Sequence, residues 1–504
     1  MVISDSKKLN NKNLKFTIFY SGLVVILTFV MIFFVYINQK NFTPIIFSFL
    51  YLFVISFLIL YNYHKIKLIE FTNPIIFYSL LWSIPFAFLP IIISFSENPC
   101  EYLPKSCAYK DFIPFAQFLS ISSLISMALG FKFYFIVNKN SKIRENLKNI
   151  NEWSKSGYFI TLLFMIFLTI LQIIYLIKRG AFILGNTKDL SEHSPSIISY
   201  ILYIFGYNIA SIFYLSGPIL ISFLFLKKLK SSFIKKILSF LIITNLILAI
   251  ISAQKERIAI TLIIIFIYNY YWRKDRIKFS SELLFLLTVS IFLITFPLIY
   301  GYRMALNLGY NISSIYDFEQ IFNIADKLDL NPLSIILNRF DHLNTSLSVL
   351  GQTPDFIDYK MGSTYLKGFE ALSLLFPKLK KSEDFGLFNN TFAREYNLVE
   401  PFDYYTSITL PQFIEVYMNF GILLIPIFMF ILGYFYAFIF KLIKSESLNI
   451  NFLGFLLYYI WVIQFSGLSF STTMILTVKT LIGFFLFYIV LNMNKFMRLI
   501  CLKK

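Results

Sequence analysis

Twelve separate runs of about 20 apolar residues each divide this chain, and that is the length of helix needed to cross the hydrocarbon core of a bilayer. In lipid, backbone polar groups are satisfied only within helices or closed barrels. The runs fall at roughly 16–37, 43–61, 72–94, 112–131, 157–177, 197–226, 234–252, 257–272, 281–301, 410–440, 451–468 and 473–493. They predict an all-α polytopic integral membrane protein. Transmembrane helices 1–9 occupy residues 1–301, a large outer loop 302–409, helices 10–12 residues 410–493, and a basic tail 494–504. Charged residues make up 14% of the 504, far below the roughly 25% of soluble domains, and the mean hydropathy is +0.71.

Lysine and arginine set the orientation. With the N-terminus inside, the cytoplasmic segments carry 26 of them and the short outer loops eight. Both termini are therefore expected in the cytoplasm. The first span follows Lys7, Lys8, Lys12 and Lys15 and is too long for a cleavable signal. The net charge of +18 suggests nucleic acid only until it is located. The long loop carries 13 acidic against nine basic residues, and the basic excess faces the cytoplasm, where anionic lipid accounts for it. No nucleic-acid partner is expected; membrane lipid is. Three cysteines exclude a disulfide framework, although Cys100 and Cys107 share a short outer loop and are either bridged or two free thiols.

The long loop, Tyr302–Thr409, has helical patterning. Asn331-Pro332 is a start signal, and Leu333, Ile336, Leu337, Phe340, Leu343, Leu347 and Leu350 then recur at helical spacing up to Gly351. Arg339, His342 and Ser346 share one flank of its polar side, so the helix is expected to lie on the membrane or to cap the bundle. Gln352-Thr353-Pro354-Asp355 reads as a turn, and Gly362-Ser363-Thr364 opens a second helix through about Leu375. Thr409-Leu410-Pro411-Gln412 has capping-box spacing and opens the tenth span.

No Walker loop, G-x-S-x-G, HExxH or cluster of metal ligands is present, and there are three histidines in all. No cofactor or metal is expected. What remains is a set of cations at the outer face, suited to an anion such as phosphate. Lys255 and Arg257 lie at the tip between the seventh and eighth spans, Arg303 just past the ninth, and Arg339 beside His342. Interfacial anchoring is the competing account for Arg257 and Arg303, a solvated face for Arg339. Glu415, inside the expected tenth span with Asn419 at i+4, is the best single carboxylate. It either forms a structural ion pair with a loop arginine or belongs to a site.

The segment Glu415-Val-Tyr417-Met-Asn419-Phe420-Gly421, opening a span after a large outer loop, resembles the E-x-Y-x-N-F-G signature of Wzy-type oligosaccharide repeat-unit polymerases. Tyr302-Arg303, Asn338-Arg339-Phe340-Asp341, Thr353-Pro354, Tyr359, Gly362-Ser363-Thr364-Tyr365 and Pro377 agree, and the resemblance covers about residues 250–435. It implies a GT-C-like, lipid-linked glycosyltransferase of the bacterial inner membrane. Such an enzyme transfers a growing chain from undecaprenyl pyrophosphate to the non-reducing sugar of a new lipid-linked unit of O-antigen or capsule. A chain-length regulator and a flippase would be its partners.

On that chemistry Glu415, His342 and Arg339 are the expected catalytic residues. Lys255, Arg257 and Arg303 would hold the pyrophosphate, and Tyr404, Tyr405, Tyr417 and Asn419 the sugars. For Tyr404 and Tyr405, aromatic anchoring at the interface is the competing account. The alternatives for the whole chain are the ligase that transfers finished polysaccharide, which shares the layout, and a lipid-linked oligosaccharide flippase or transporter. The long helical loop and the lack of a visible inverted repeat argue against transport.

Overall fold

A computed structural model describes residues 43–66, 73–103, 105–138, 342–370, 388–398, 408–444, 453–454, 456–465 and 469–478, with isolated positions at 163–177, 244 and 481. Regular structure among the described residues is entirely helical. The first span, the basic tail and all but isolated positions of the fifth to ninth spans lie outside them.

Three helices among the described residues are long and apolar enough to cross a membrane: Pro74–Phe95, Cys107–Val137 and Ile422–Ile443. We label the helices α1 (Thr43–Ile66), α2 (Pro74–Phe95), α3 (Ile113–Val137), α4 (His342–Gln352), α5 (Ser363–Glu370), α6 (Phe388–Glu395), α7 (Gln412–Phe420) and α8 (Ile425–Ile443). Asn73 caps α2 by accepting the Ile75 N–H at 3.0 Å, and Pro74 occupies the first turn, where its missing donor costs nothing. Further along, the ladder widens to a π-turn over Ile84–Phe88, which contains Pro85 and is followed by Pro90.

Small and polar residues join these helices. Gly130 of α3 lies against the backbone of Phe430, and Gly433 of α8 against the backbone of Met127. Each glycine makes room for the other helix, as at close crossings of membrane helices. The Gln117 amide donates to Pro44 O, Ser48 Oγ and Phe86 O at 3.1, 2.9 and 3.0 Å, tying α1, α2 and α3 together. Tyr436 of α8 donates to the Tyr78 hydroxyl of α2 at 2.7 Å.

Outside the bundle, α4 rests on the loop between α2 and α3. Ser106 Oγ donates to Asn344 Oδ1 at 2.7 Å, the Asn344 amide reaches Tyr102 O, and Gly351 packs on the Tyr109 ring. Cys100 and Cys107 are bridged in that same loop, which settles the pairing left open by the sequence. These contacts put the 96–112 loop and α4 of the long loop together at one end of the described helices. Cys107→Ser is expected to lower stability by about 2–3 kcal/mol through lost loop closure, read as a lower unfolding midpoint in detergent.

Two expectations need correcting. The flank of α4 carrying His342 and Ser346 is neither solvated nor laid on lipid: both residues are buried, as is every α4 residue except Gly351. The cause is cover on several sides, by the 96–112 loop, α3 and α7. Ser346 donates to His342 O and Gln352 to Tyr396 O. The helix thus caps the bundle.

Second, the expected 410–440 span is two helices. Gly421, at φ +74°, ends α7, and the membrane-length helix begins only at Ile422. Pro411, not Thr409, is the N-cap of α7, so no capping box forms and Glu415 stands before the span.

Candidate functional site: a buried carboxylate clasp

α7 is amphipathic by sequence yet wholly interior from Gln412 to Asn419, because the bundle covers one side and the long loop the other. Phe413 meets Trp82 and Phe86 of α2, while Tyr417 meets Phe115 and Tyr359. Between these faces sits Glu415, 1% exposed. Its Oε1 accepts from the Thr364 hydroxyl of α5 at 3.2 Å, and its Oε2 accepts from the backbone N–H of Phe470 at 2.8 Å.

Phe470 opens the helix at 470–478, whose first turn is arranged by Ser469: the Ser469 hydroxyl contacts Thr472 Oγ1, and Ser469 O accepts from Thr473 N. A helix N-terminus favours a negative group. Burial nevertheless wins: desolvation lifts the Glu415 carboxyl to about 7, with the Phe470 and Thr364 hydrogen bonds pulling the other way.

Asn419 secures the other half of the clasp. Its amide donates to Thr364 Oγ1 and to Glu415 O, each at 2.7 Å, and its Oδ1 accepts the Gly362 N–H at 3.0 Å. Because Asn419 donates to Thr364 Oγ1, the Thr364 proton is directed to Glu415. The backbone N–H groups of Lys360 and Met361 donate to Met418 O and Asn419 O, so the 360–364 turn is laid along the end of α7. Gly362, at φ +86°, makes that turn. Tyr417 donates to Thr353 O at 3.1 Å and fixes the preceding turn. In this arrangement neither Asn419 nor Tyr417, both expected to bind sugar, presents a free polar group; both hold the loop to α7.

His342 is 4% exposed, and its Nδ1 has no hydrogen-bond partner among the described residues. Burial lowers its pKa to about 4, so it is neutral at physiological pH and is no phosphate-binding cation there. It hydrogen-bonds to no member of the clasp among the described residues. Arg339, Lys255, Arg257, Arg303, Tyr404 and Tyr405 lie outside the described residues.

No family model, curated protein or solved structure matches this chain. Its chemistry must be read from the clasp itself.

Among the described residues no group of three or more His, Cys, Asp or Glu could hold a metal ion. What the clasp can do is exchange a proton: a carboxyl with a pKa near neutrality is suited to general acid–base work. Sequence reading missed two of its members. Thr364 was visible only as a helix-capping residue and as part of the resemblance segment, and the Phe470 N–H only as the polar break Ser469-Phe470-Ser471-Thr472-Thr473 between two apolar runs. Such a break marks backbone donors freed at a helix start.

Proposed function

We propose that the chain is an integral-membrane, lipid-linked oligosaccharide polymerase of the Wzy type, acting on the outer face of a bacterial inner membrane. One observation carries the reading. Thr353-Pro354, Tyr359, Gly362-Ser363-Thr364-Tyr365 and Glu415–Gly421, which are separate pieces of the resemblance, meet on α7, the first two at Tyr417 and the third at Asn419 and at Glu415, whose buried carboxyl has a pKa of about 7.

In this reaction Glu415 takes the proton from the acceptor sugar hydroxyl. The freed oxygen attacks C1 of the growing chain's reducing sugar, and the C1–O bond breaks with its electron pair passing to undecaprenyl pyrophosphate. Lys255, Arg257, Arg303 and Arg339 stabilise the charge that builds there, at about 3–4 kcal/mol per donor in a dry site. Tyr404 and Tyr405 stack on sugar rings, and neutral His342 orients the acceptor. Thr364 and Asn419 are positioning residues. Since Glu415 is covered by Thr364, substrate reaches it when α5 lifts from the clasp.

The test is the surface-polysaccharide ladder of a deletion strain complemented with wild type or Glu415→Gln at matched membrane levels. The expected result is loss of the ladder with a single repeat unit still attached. An unchanged ladder would remove Glu415 from the site, and loss of every attached unit would replace the polymerase reading with ligase or flippase.

A further inference from the structure

Part of the long loop packs against the Ile422–Ile443 helix. Tyr365 of α5 lies against Phe420 and Phe428, with ring centroids 5.9 Å apart in each case and near-parallel planes, and edge-on to Phe470 at 5.0 Å. Phe428 is six residues into the Ile422–Ile443 span, so its Cα is about 9 Å along the axis from the span's start at 1.5 Å per residue. That span has 22 residues and about 33 Å of helix, close to the full hydrocarbon thickness, which places Ile422 near the boundary.

Neighbouring positions on α5 point in different directions. Thr364 is buried against Glu415, Tyr365 packs on α8, and Leu366, a further 100° round, is 63% exposed. Met361, bonded through its N–H to Asn419 O, is 78% exposed. The Ile422–Ile443 span shows its own bare apolar face at Leu423, Ile427 and Ile431, spaced by four residues, with Leu423 83% exposed. The charged residues of this stretch are Asp355, Asp358 and Lys360 before Met361, and Lys367 and Glu370 after Leu366. The uncharged part is the six residues between them, Met361–Leu366.

We propose that the loop re-enters the bilayer here. The segment Met361–Leu366 is a membrane anchor, with Met361 and Leu366 set among the acyl chains of bilayer phospholipid and the charged residues on either side of it at the surface. Such a position gives the two exposed side chains an apolar neighbour near the level of the Tyr365–Phe428 contact. The anchor holds Thr364, and with it the cover over Glu415, at the lipid surface. It depends on the membrane reading of α8 and not on the reaction proposed above.

The full-length protein in phosphatidylcholine liposomes tests this, in a Cys501→Ser background that leaves Cys100 and Cys107 paired. Nitroxide labels at Leu366→Cys and Met361→Cys are compared with a lipid reference at Leu423→Cys and a water reference at Asp358→Cys. Paramagnetic relaxation by oxygen reports lipid, and relaxation by a nickel chelate reports water. Labels at 366 and 361 are expected to match 423, with nickel accessibility roughly tenfold below that at 358. Nickel accessibility at 366 equal to that at 358 would overturn the proposal, and agreement of 361 and 366 with each other guards against a local effect of one label. Loss of polymerase activity with unchanged accessibility would strike the functional reading and leave the anchor standing.

Discussion

Gly433→Leu is expected to unseat α8 from α3 and to remove most of the stable, monodisperse protein from detergent extracts. Even a single added methyl at this position would overlap the carbonyl of Met127, and a backbone atom in a packed helix cannot rotate away as a side-chain tip can. Gly433→Ala should therefore already cost about 3 kcal/mol, the upper end of ordinary overpacking, seen as a lower thermal midpoint. Gly130→Ala, at the facing contact with Phe430 O, should behave alike. The two should combine less than additively, since one displaced crossing relieves both clashes. A Gly433→Ala protein with a wild-type midpoint would mean that the helices do not approach as closely as described.

Glu415→Gln should change how stability responds to pH as well as its size. The folded carboxyl has its pKa raised to about 7 from an ordinary value of 4.5. Below the lower value both folded and unfolded chains are protonated and no penalty exists. As pH rises between the two values the unfolded chain ionises first, so stability falls, by on the order of 3 kcal/mol in total. His342 acts in the opposite sense. Its folded pKa is lowered to about 4 from 6.5, so its contribution is complete above 6.5 and is lost as pH falls towards 4. The slopes oppose each other where the two windows overlap. Relative to wild type, Glu415→Gln should make stability rise more steeply from pH 5 to 7, and a His342→Gln variant should make it fall more steeply. Midpoints of the three proteins across that range check this, and parallel curves would contradict the burial of both groups. Glu415→Ala should fare worse than Gln, because it orphans the Thr364 hydroxyl and the Phe470 N–H, at about 1–3 kcal/mol each.

The membrane class and the helices α2 and α3 were legible from runs of apolar residues. α4 was also legible as a helix, because leucines at three- and four-residue spacing leave little choice. Its burial was not. A polar flank reads as solvated unless its cover is known, and Ser106, which covers Asn344, is 238 residues away. The break at Gly421 was hidden because apolar residues continue on both sides of it and hydropathy averages across a turn. Glu415 could be singled out as an ionisable residue in apolar surroundings. Its partner at Phe470 is a backbone N–H, to which the side chain gives no clue.

The Tyr78 hydroxyl has a consequence in time. It sits within α2, and the Tyr436 hydroxyl with which it pairs is 358 residues later in the chain. A ribosome adding about 5–20 residues per second needs roughly 20–70 s to reach it. Over that interval α2 has been made while the helix that completes its polar contact does not yet exist. Assembly of this bundle therefore ends with its C-terminal helices arriving at an N-terminal half that has been waiting for them, and a chain truncated before α8 would leave that half permanently unfinished.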